Sequence, residues 1–321
     1  MARRQILLDT DVGIDDALMI VAIAAEPDVE IVAIGSSHGN CSAAQAARNA
    51  IRVLDVLGLP DVPVAVGLES PLAVPISAPH VHGSDGLGDA GIPEPSRSPS
   101  DDGAVDQLLR LSRERPGELD LVVVGSLTNI AGAMDRDADV LTRFRSVWIL
   151  GSYAHRPGAP ERPSGDFNTL CSPDAAARVY GSSAALNIVP IDTTFRVIFS
   201  DQHLARIRES ASPVARFIDR ILQCYLDFYE ERMGRRTIPV HDPTVAAVLL
   251  YPELIRATEM RRMVVEPWLG SFRAVGIGPG ESWPSDDRAE MRLITEVDSE
   301  RLLDRLVDAI TRPRALTRSR G

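Results

Sequence analysis

Short apolar runs alternate with amphipathic stretches over the first two-thirds of the chain. Residues 5–9, 30–35, 62–66, 120–124, 146–150 and 186–191 read as strands. Segments 15–25, 42–57, 104–115, 129–135 and 173–179 carry apolar positions at helical spacing. Near-continuous apolar strands separated by helices predict an α/β fold: an open, mainly parallel, Rossmann-like sheet with helices on both faces. The last third changes character and is expected to be mostly helical. A helix is predicted from 213 to about 232 and another over 243–250, followed by β-like stretches at 263–266, 271–275 and 291–295 and a closing helix over 299–310.

Two segments break this rhythm. Residues 67–101 are rich in Pro, Gly, Ser and His, and residues 151–172 are similar. Long irregular loops inside a compact domain are uncommon and usually functional. Both follow strands, which places them at the carboxyl edge of the sheet, where ligands bind in open α/β folds.

The chain has 321 residues, 45% of them hydrophobic, enough to build a sizeable core. No internal repeat or linker divides it, so residues 1–312 read as a single domain, with a basic, disordered tail at 313–321. A net charge of −11 argues against nucleic acid or an anionic membrane as partner. All 34 basic residues are arginine. The absence of lysine excludes a P-loop, a Schiff-base lysine and a lysine general base. Cys41, Cys171 and Cys224 are widely spaced, which predicts free thiols in a reducing compartment. No signal-peptide pattern and no apolar run of membrane-spanning length is present, so a cytoplasmic protein is expected.

The candidate chemistry lies in Leu8-Asp9-Thr10-Asp11-Val12-Gly13-Ile14-Asp15-Asp16-Ala17, where a strand ends and a helix begins. Asp9 and Asp11 fall on one side of an extended chain, and Asp15 and Asp16 near the helix N-terminus. Helix capping accounts for one aspartate, or two. Four within residues 9–16, beside buried sequence, repel one another unless a cation compensates. All-oxygen ligation suits Ca²⁺ or Mg²⁺.

Asp9-Thr10-Asp11-x-Gly13-x-Asp15-Asp16-Ala17 resembles the signature of the inosine/uridine-preferring nucleoside hydrolases. The similarity continues in order through Gly39-Asn40, His82-Gly83 with Gly86-Leu87-Gly88, Gly125-Ser126-Leu127-Thr128-Asn129, Asp166-Phe167-Asn168 and His241-Asp242-Pro243. The resemblance implies hydrolysis of the N-glycosidic bond of ribonucleosides to base and ribose. It implies a Ca²⁺ held by Asp11, Asp16, the Thr128 carbonyl and Asp242, and a calcium-bound water deprotonated by Asp11, with inversion. Asp15 and Asn168 would bind ribose hydroxyls, Asn40 would contribute near the ribose, and Asp9 would support the loop. The family forms homodimers and homotetramers, so one of these is expected. A carboxylate-rich site is consistent with an oxocarbenium-like transition state, and a metal lowers the pKa of its water.

In related members a histidine at position 241 protonates the leaving base; a packing or outer-shell histidine is the competing reading here. His82 suits ligand contact from a glycine-rich loop. Tyr225 and Tyr229, at i,i+4 spacing, either close over the base or pack in the core. Asn129 reads as a helix cap, and His38, His80 and His203 read as structural. Two departures touch ribose 5′ recognition: Asp166 replaces the usual glutamate, and Pro160 stands where an asparagine is expected. A hydrolase for 5′-modified or non-standard nucleosides is therefore an open variant, with Arg156 and Arg162 nearby. A Mg²⁺-dependent phosphatase of the haloacid-dehalogenase type fits Asp9-x-Asp11 but normally needs a lysine. A non-catalytic nucleoside- or sugar-binding protein need not retain both His241 and the carboxylates.

Overall fold

A computed structural model of the protein describes residues 3–155, 166–268, 271–278 and 289–312. Among the described residues, nine strands form one sheet: β1 (Arg4–Thr10), β2 (Val29–Ser36), β3 (Val64–Ala65), β4 (Leu119–Val123), β5 (Ser146–Leu150), β6 (Leu186–Val189), β7 (Ile255–Trp268), β8 (Ser271–Ile277) and β9 (Met291–Val297). Their order is β3-β2-β1-β4-β5-β6-β9-β7-β8. Pairings from β3 through β9 are parallel, and β7 pairs antiparallel with both β9 and β8. The expected mainly parallel open sheet is present.

The helices are α1 (Ile14–Ala24), α2 (Ala43–Leu57), α3 (Pro79–His82), α4 (Ala104–Glu114), α5 (Thr128–Arg136), α6 (Phe167–Cys171), α7 (Pro173–Tyr180), α8 (Ile191–Thr194), α9 (Asp201–Glu209), α10 (Pro213–Met233), α11 (Asp242–Leu250) and α12 (Ser299–Thr311). Alternation along β1 shows why both sheet faces are covered. Ile6 and Leu8 enter the hydrophobic cluster that holds α1, α2, α10 and α12. Leu7 points into the opposite cluster with α4, α5 and α7. Local chemistry sets the helix ends: Ser42 accepts the Gln45 amide ahead of α2, and Gly58 closes it at φ 67°.

In the C-terminal third, α10, α11 and α12 are joined by three strands that extend the sheet. β7 is far longer than its sequence signal. The expected tail at 313–321 lies outside the described residues, as do Arg156, Pro160 and Arg162. Among the described residues no helix is long and apolar enough to cross a membrane.

This topology fixes where a site can form. The chain runs outward from β1 to β2 and β3, then returns to place β4 on the other side of β1. The loops leaving β1 and β4 therefore diverge and open a crevice at the carboxyl edge.

Candidate active site

The aspartate segment leaves β1 at Thr10 and enters α1 at Ile14, inside that crevice. Asp9, Asp11, Asp15 and Asp16 are all buried. Asp16 is held in place by three contacts: the Thr10 hydroxyl, the Gly13 amide at 2.7 Å and Asn40 Nδ2 at 3.1 Å. Asp11 Oδ2 accepts the Asn40 amide at 2.7 Å. That approach needs glycine at 39, because a Cβ there would sit 1.9 Å from Asp11 Oδ2. Asp242, the first residue of α11, arrives from the far end of the sequence.

Asp15, Asp16 and Asp242 each offer a carboxylate oxygen, and the three lie within 4.8 Å of one another. Asp11 stands beside this trio rather than within it, turned toward the Asn40 amide. Burial, followed by the charges of Asp15, Asp16 and Asp11, pushes the Asp242 carboxyl well above its usual range. Burial and then Asp16 do the same to Asp11, and burial raises Asp15 to about 6. Convergent buried carboxylates of this kind form a set whose repulsion a hard divalent cation relieves.

A cavity of about 360 Å³ opens from the cluster, within the range of small-molecule sites. Asp11, Asp15, Asn40, Asp166, Asn168 and Asp242 line it together with His82, Tyr225, Tyr229 and His241. Asn168 is anchored to the ends of β4 and β5, its Nδ2 donating to the Val124 carbonyl at 2.6 Å. Tyr225 donates to Asp15 Oδ2 at 3.3 Å and stacks on His82, with ring centroids 5.3 Å apart. His82 Nδ1 accepts the Ile14 amide at 3.1 Å, and burial lowers the ring's pKa to about 4. Tyr229 crosses Tyr225 edge to face, and its hydroxyl lies 3.1 Å from His241 Nε2. On the opposite side of that ring, Thr194 Oγ1 lies 2.7 Å from His241 Nδ1. Burial, reinforced by His82, lowers His241 to about 3.

The structure thus gathers every candidate catalytic and substrate residue at one cavity, with Asp16 directly behind its wall. Thr128 opens α5 after the loop from β4, but it is not among the residues lining the cavity. Two readings need correction. Asn129 does not cap its helix, because Leu127 occupies that position and Asn129 bonds instead to Asp9, Ser36 and Leu68. His80, read as structural, lines the cavity and meets Phe228 edge to face. His38 and His203 do serve local structure, His38 at the Ile76 carbonyl and His203 at the Ser200 cap. Sequence reasoning missed Thr194, Phe195 and Phe228. The first two follow β6 directly, so their position at the carboxyl edge is the one signal that could have found them.

Comparison with known proteins points the same way. The family model described as inosine-uridine preferring nucleoside hydrolase matches residues 6–304. A probable uridine nucleosidase 1 of Oryza sativa subsp. japonica is 34% identical over 253 residues, covering 78% of both chains. The pyrimidine-specific ribonucleoside hydrolase RihA of Citrobacter koseri is 32% identical and covers 83% of both. Among solved structures, the plant nucleoside hydrolase PpNRh1 superposes with a TM-score of 0.90 at 26% identity, covering 97% of this chain and 99% of that one. A purine-preferring ribonucleoside hydrolase from Gardnerella vaginalis gives 0.82 at 25% identity, covering 96% and 98%.

Proposed function

The chain belongs to the inosine-uridine preferring nucleoside hydrolase family, and on that premise we propose that it cleaves ribonucleosides to free base and ribose with a Ca²⁺-dependent, inverting mechanism. One observation carries the reading. Buried carboxylates converge beside a cavity that aromatic side chains and His241 also line. Breaking an N-glycosidic bond leaves positive charge on the sugar and negative charge on the base. Carboxylates for the sugar and proton-bearing groups for the base, gathered in one cavity, answer both charges.

Asp11, Asp16, Asp242 and the Thr128 carbonyl would hold the ion, and the geometry adds Asp15 as a neighbour of the same charge centre. When bound, the ion supplies an acidified water and compensates the clustered charge. Asp11 takes the proton from the attacking water at a carboxylate oxygen. Asp15 and Asn168 hold ribose hydroxyls, with Asn40 beside them. Tyr225 and His82 face the sugar and base, and His241, paired with Tyr229, protonates the departing nitrogen. Water adds to the anomeric carbon opposite the base, so its configuration inverts. No side chain is needed as a covalent nucleophile.

The test is release of reducing sugar and free base across purine and pyrimidine ribosides, with and without a strong chelator. Asp11→Asn is expected to lose several orders of magnitude in kcat. Near-wild-type turnover in that variant refutes its role as base, and full activity in rigorously metal-free protein refutes the cation. Proton NMR of the first-formed ribose anomer checks inversion.

A further inference from the structure

The last residue of α8, Thr194, is fully buried and sits 2.7 Å from His241 Nδ1. Its hydroxyl has one hydrogen, and Oγ1 also lies 3.1 Å from the Ile191 carbonyl, a group that can only accept. On the other side of the ring the Tyr229 hydroxyl lies 3.1 Å from Nε2. The alternative, in which Thr194 donates to Nδ1, forfeits the Ile191 bond. For an imidazole carrying one proton, only one arrangement makes all three contacts hydrogen bonds at once. Thr194 donates to Ile191, Nδ1–H donates to Thr194, and Tyr229 donates to Nε2.

Resting on the hydrolase reading above, we propose that Thr194 is a positioning residue that holds His241 by Nδ1 and reserves Nε2 for the proton delivered to the leaving base. With Nδ1–H held by Thr194, Nε2 is the nitrogen left to take a proton from solvent in the cavity and pass it to the leaving base, after which the ring returns to its Nδ1–H form. That nitrogen faces Tyr229, which lines the cavity with His241. Phe195 meets the imidazole edge to face at 4.9 Å, so the ring is clamped in orientation as well as in tautomer. An outer partner on Nδ1 commonly determines which nitrogen of a working histidine is available.

The full-length, calcium-loaded enzyme separates this role from simple packing. Thr194→Val keeps the shape and removes the acceptor, whereas Thr194→Ser keeps the hydroxyl. Thr194→Val is expected to lower kcat on inosine or uridine about tenfold, with KM changed less than about threefold. Thr194→Ser is expected to stay within about threefold of wild type on those nucleosides, and nitrophenyl riboside, whose leaving group departs without a proton, to be nearly unaffected in either variant. In ¹⁵N-histidine NMR, assigned against His241→Gln, the wild-type His241 signal should show its proton on Nδ1, and Thr194→Val should lose that preference. An Nε2–H tautomer in wild type, unchanged inosine turnover in Thr194→Val, or equal losses on nucleoside and nitrophenyl riboside overturns the proposal. If wild type hydrolyses no riboside at all, the hydrolase reading fails, and the NMR signal alone still decides the Thr194 assignment.

Discussion

Asn129 Nδ2 donates to Asp9 Oδ2 at 2.9 Å and to the Ser36 carbonyl at 2.8 Å, while Asn129 Oδ1 accepts the Leu68 amide at 2.8 Å. One fully buried side chain therefore ties the ends of β1 and β2 to the loop after Gly67. It does so from the residue next to Thr128.

Replacing it leaves several buried groups unpaired, a carboxylate among them. Asn129→Leu is expected to destabilise the fold by about 2–4 kcal/mol and to weaken calcium binding. Urea unfolding and calcium titration measure the two effects. A variant that unfolds with wild type and binds the ion equally well shows that the network is not what holds this corner.

The carboxylate cluster gives stability a pH dependence that the ion should remove. Burial raises Asp9 to about 7 and Asp15 to about 6, from the ordinary value of 3.8. An acid whose pKa is higher in the folded state binds more protons there than when unfolded. Its ionisation therefore opposes folding. The buried, neutral His82 and His241 act in the opposite sense over this range, so the cluster is read in the difference: stabilisation by saturating Ca²⁺ should grow as pH rises from about 4 to about 7. Melting temperatures across this range, in chelator and in calcium, provide the comparison. Parallel curves with and without calcium contradict a cation in the cluster.

How much of this was legible in the sequence depends on how local each relationship is. Asp9 to Asp16 span one strand end and one helix start, so their shared location followed from the chain itself. Thr194 and His241 meet only because α8 and α11 pack at the same edge, and neither neighbourhood advertises the other. Asn129 looked like a cap because asparagine at a helix start usually is one. In the fold its side chain reaches across to the neighbouring strand ends instead. The long strand β7 signals itself in the sequence only in its buried part near Met263 and Val264. Its first half alternates with exposed positions such as Met260, leaving no continuous apolar run.

If His241 supplies the leaving-group proton, its loss should depend on what is leaving. His241→Ala should reduce kcat/KM for inosine by roughly a hundredfold or more, yet reduce nitrophenyl riboside hydrolysis only slightly. A nitrophenolate departs as a stable anion and has no use for the acid. Equal damage to both substrates assigns His241 a structural role.

The ribose 5′ end offers the last prediction. Asp166 is buried at the start of α6, where one oxygen accepts the Thr169 amide at 3.0 Å. Its other oxygen has no hydrogen-bond partner among the described residues, and the side chain lines the cavity. A 5′-hydroxyl donating to that oxygen would satisfy it, but the asparagine expected as a second partner is Pro160 in this chain. One partner in place of two should relax the demand for the hydroxyl, since fewer buried groups go unpaired when it is missing. Burial also raises the Asp166 pKa, so a 5′-deoxy substrate can leave a neutral carboxyl there rather than an unpaired charge. We expect 5′-deoxyinosine to be hydrolysed with kcat/KM less than about a hundredfold below inosine. Asp166→Asn should shrink the remaining difference, because the carboxamide can turn its NH₂ toward the sugar. Inosine 5′-phosphate, measured beside them, asks whether an anion is accepted so near Asp166. A 5′-deoxy penalty above about 3 kcal/mol, more than a hundredfold in kcat/KM, shows a complete 5′ clamp and ends the idea.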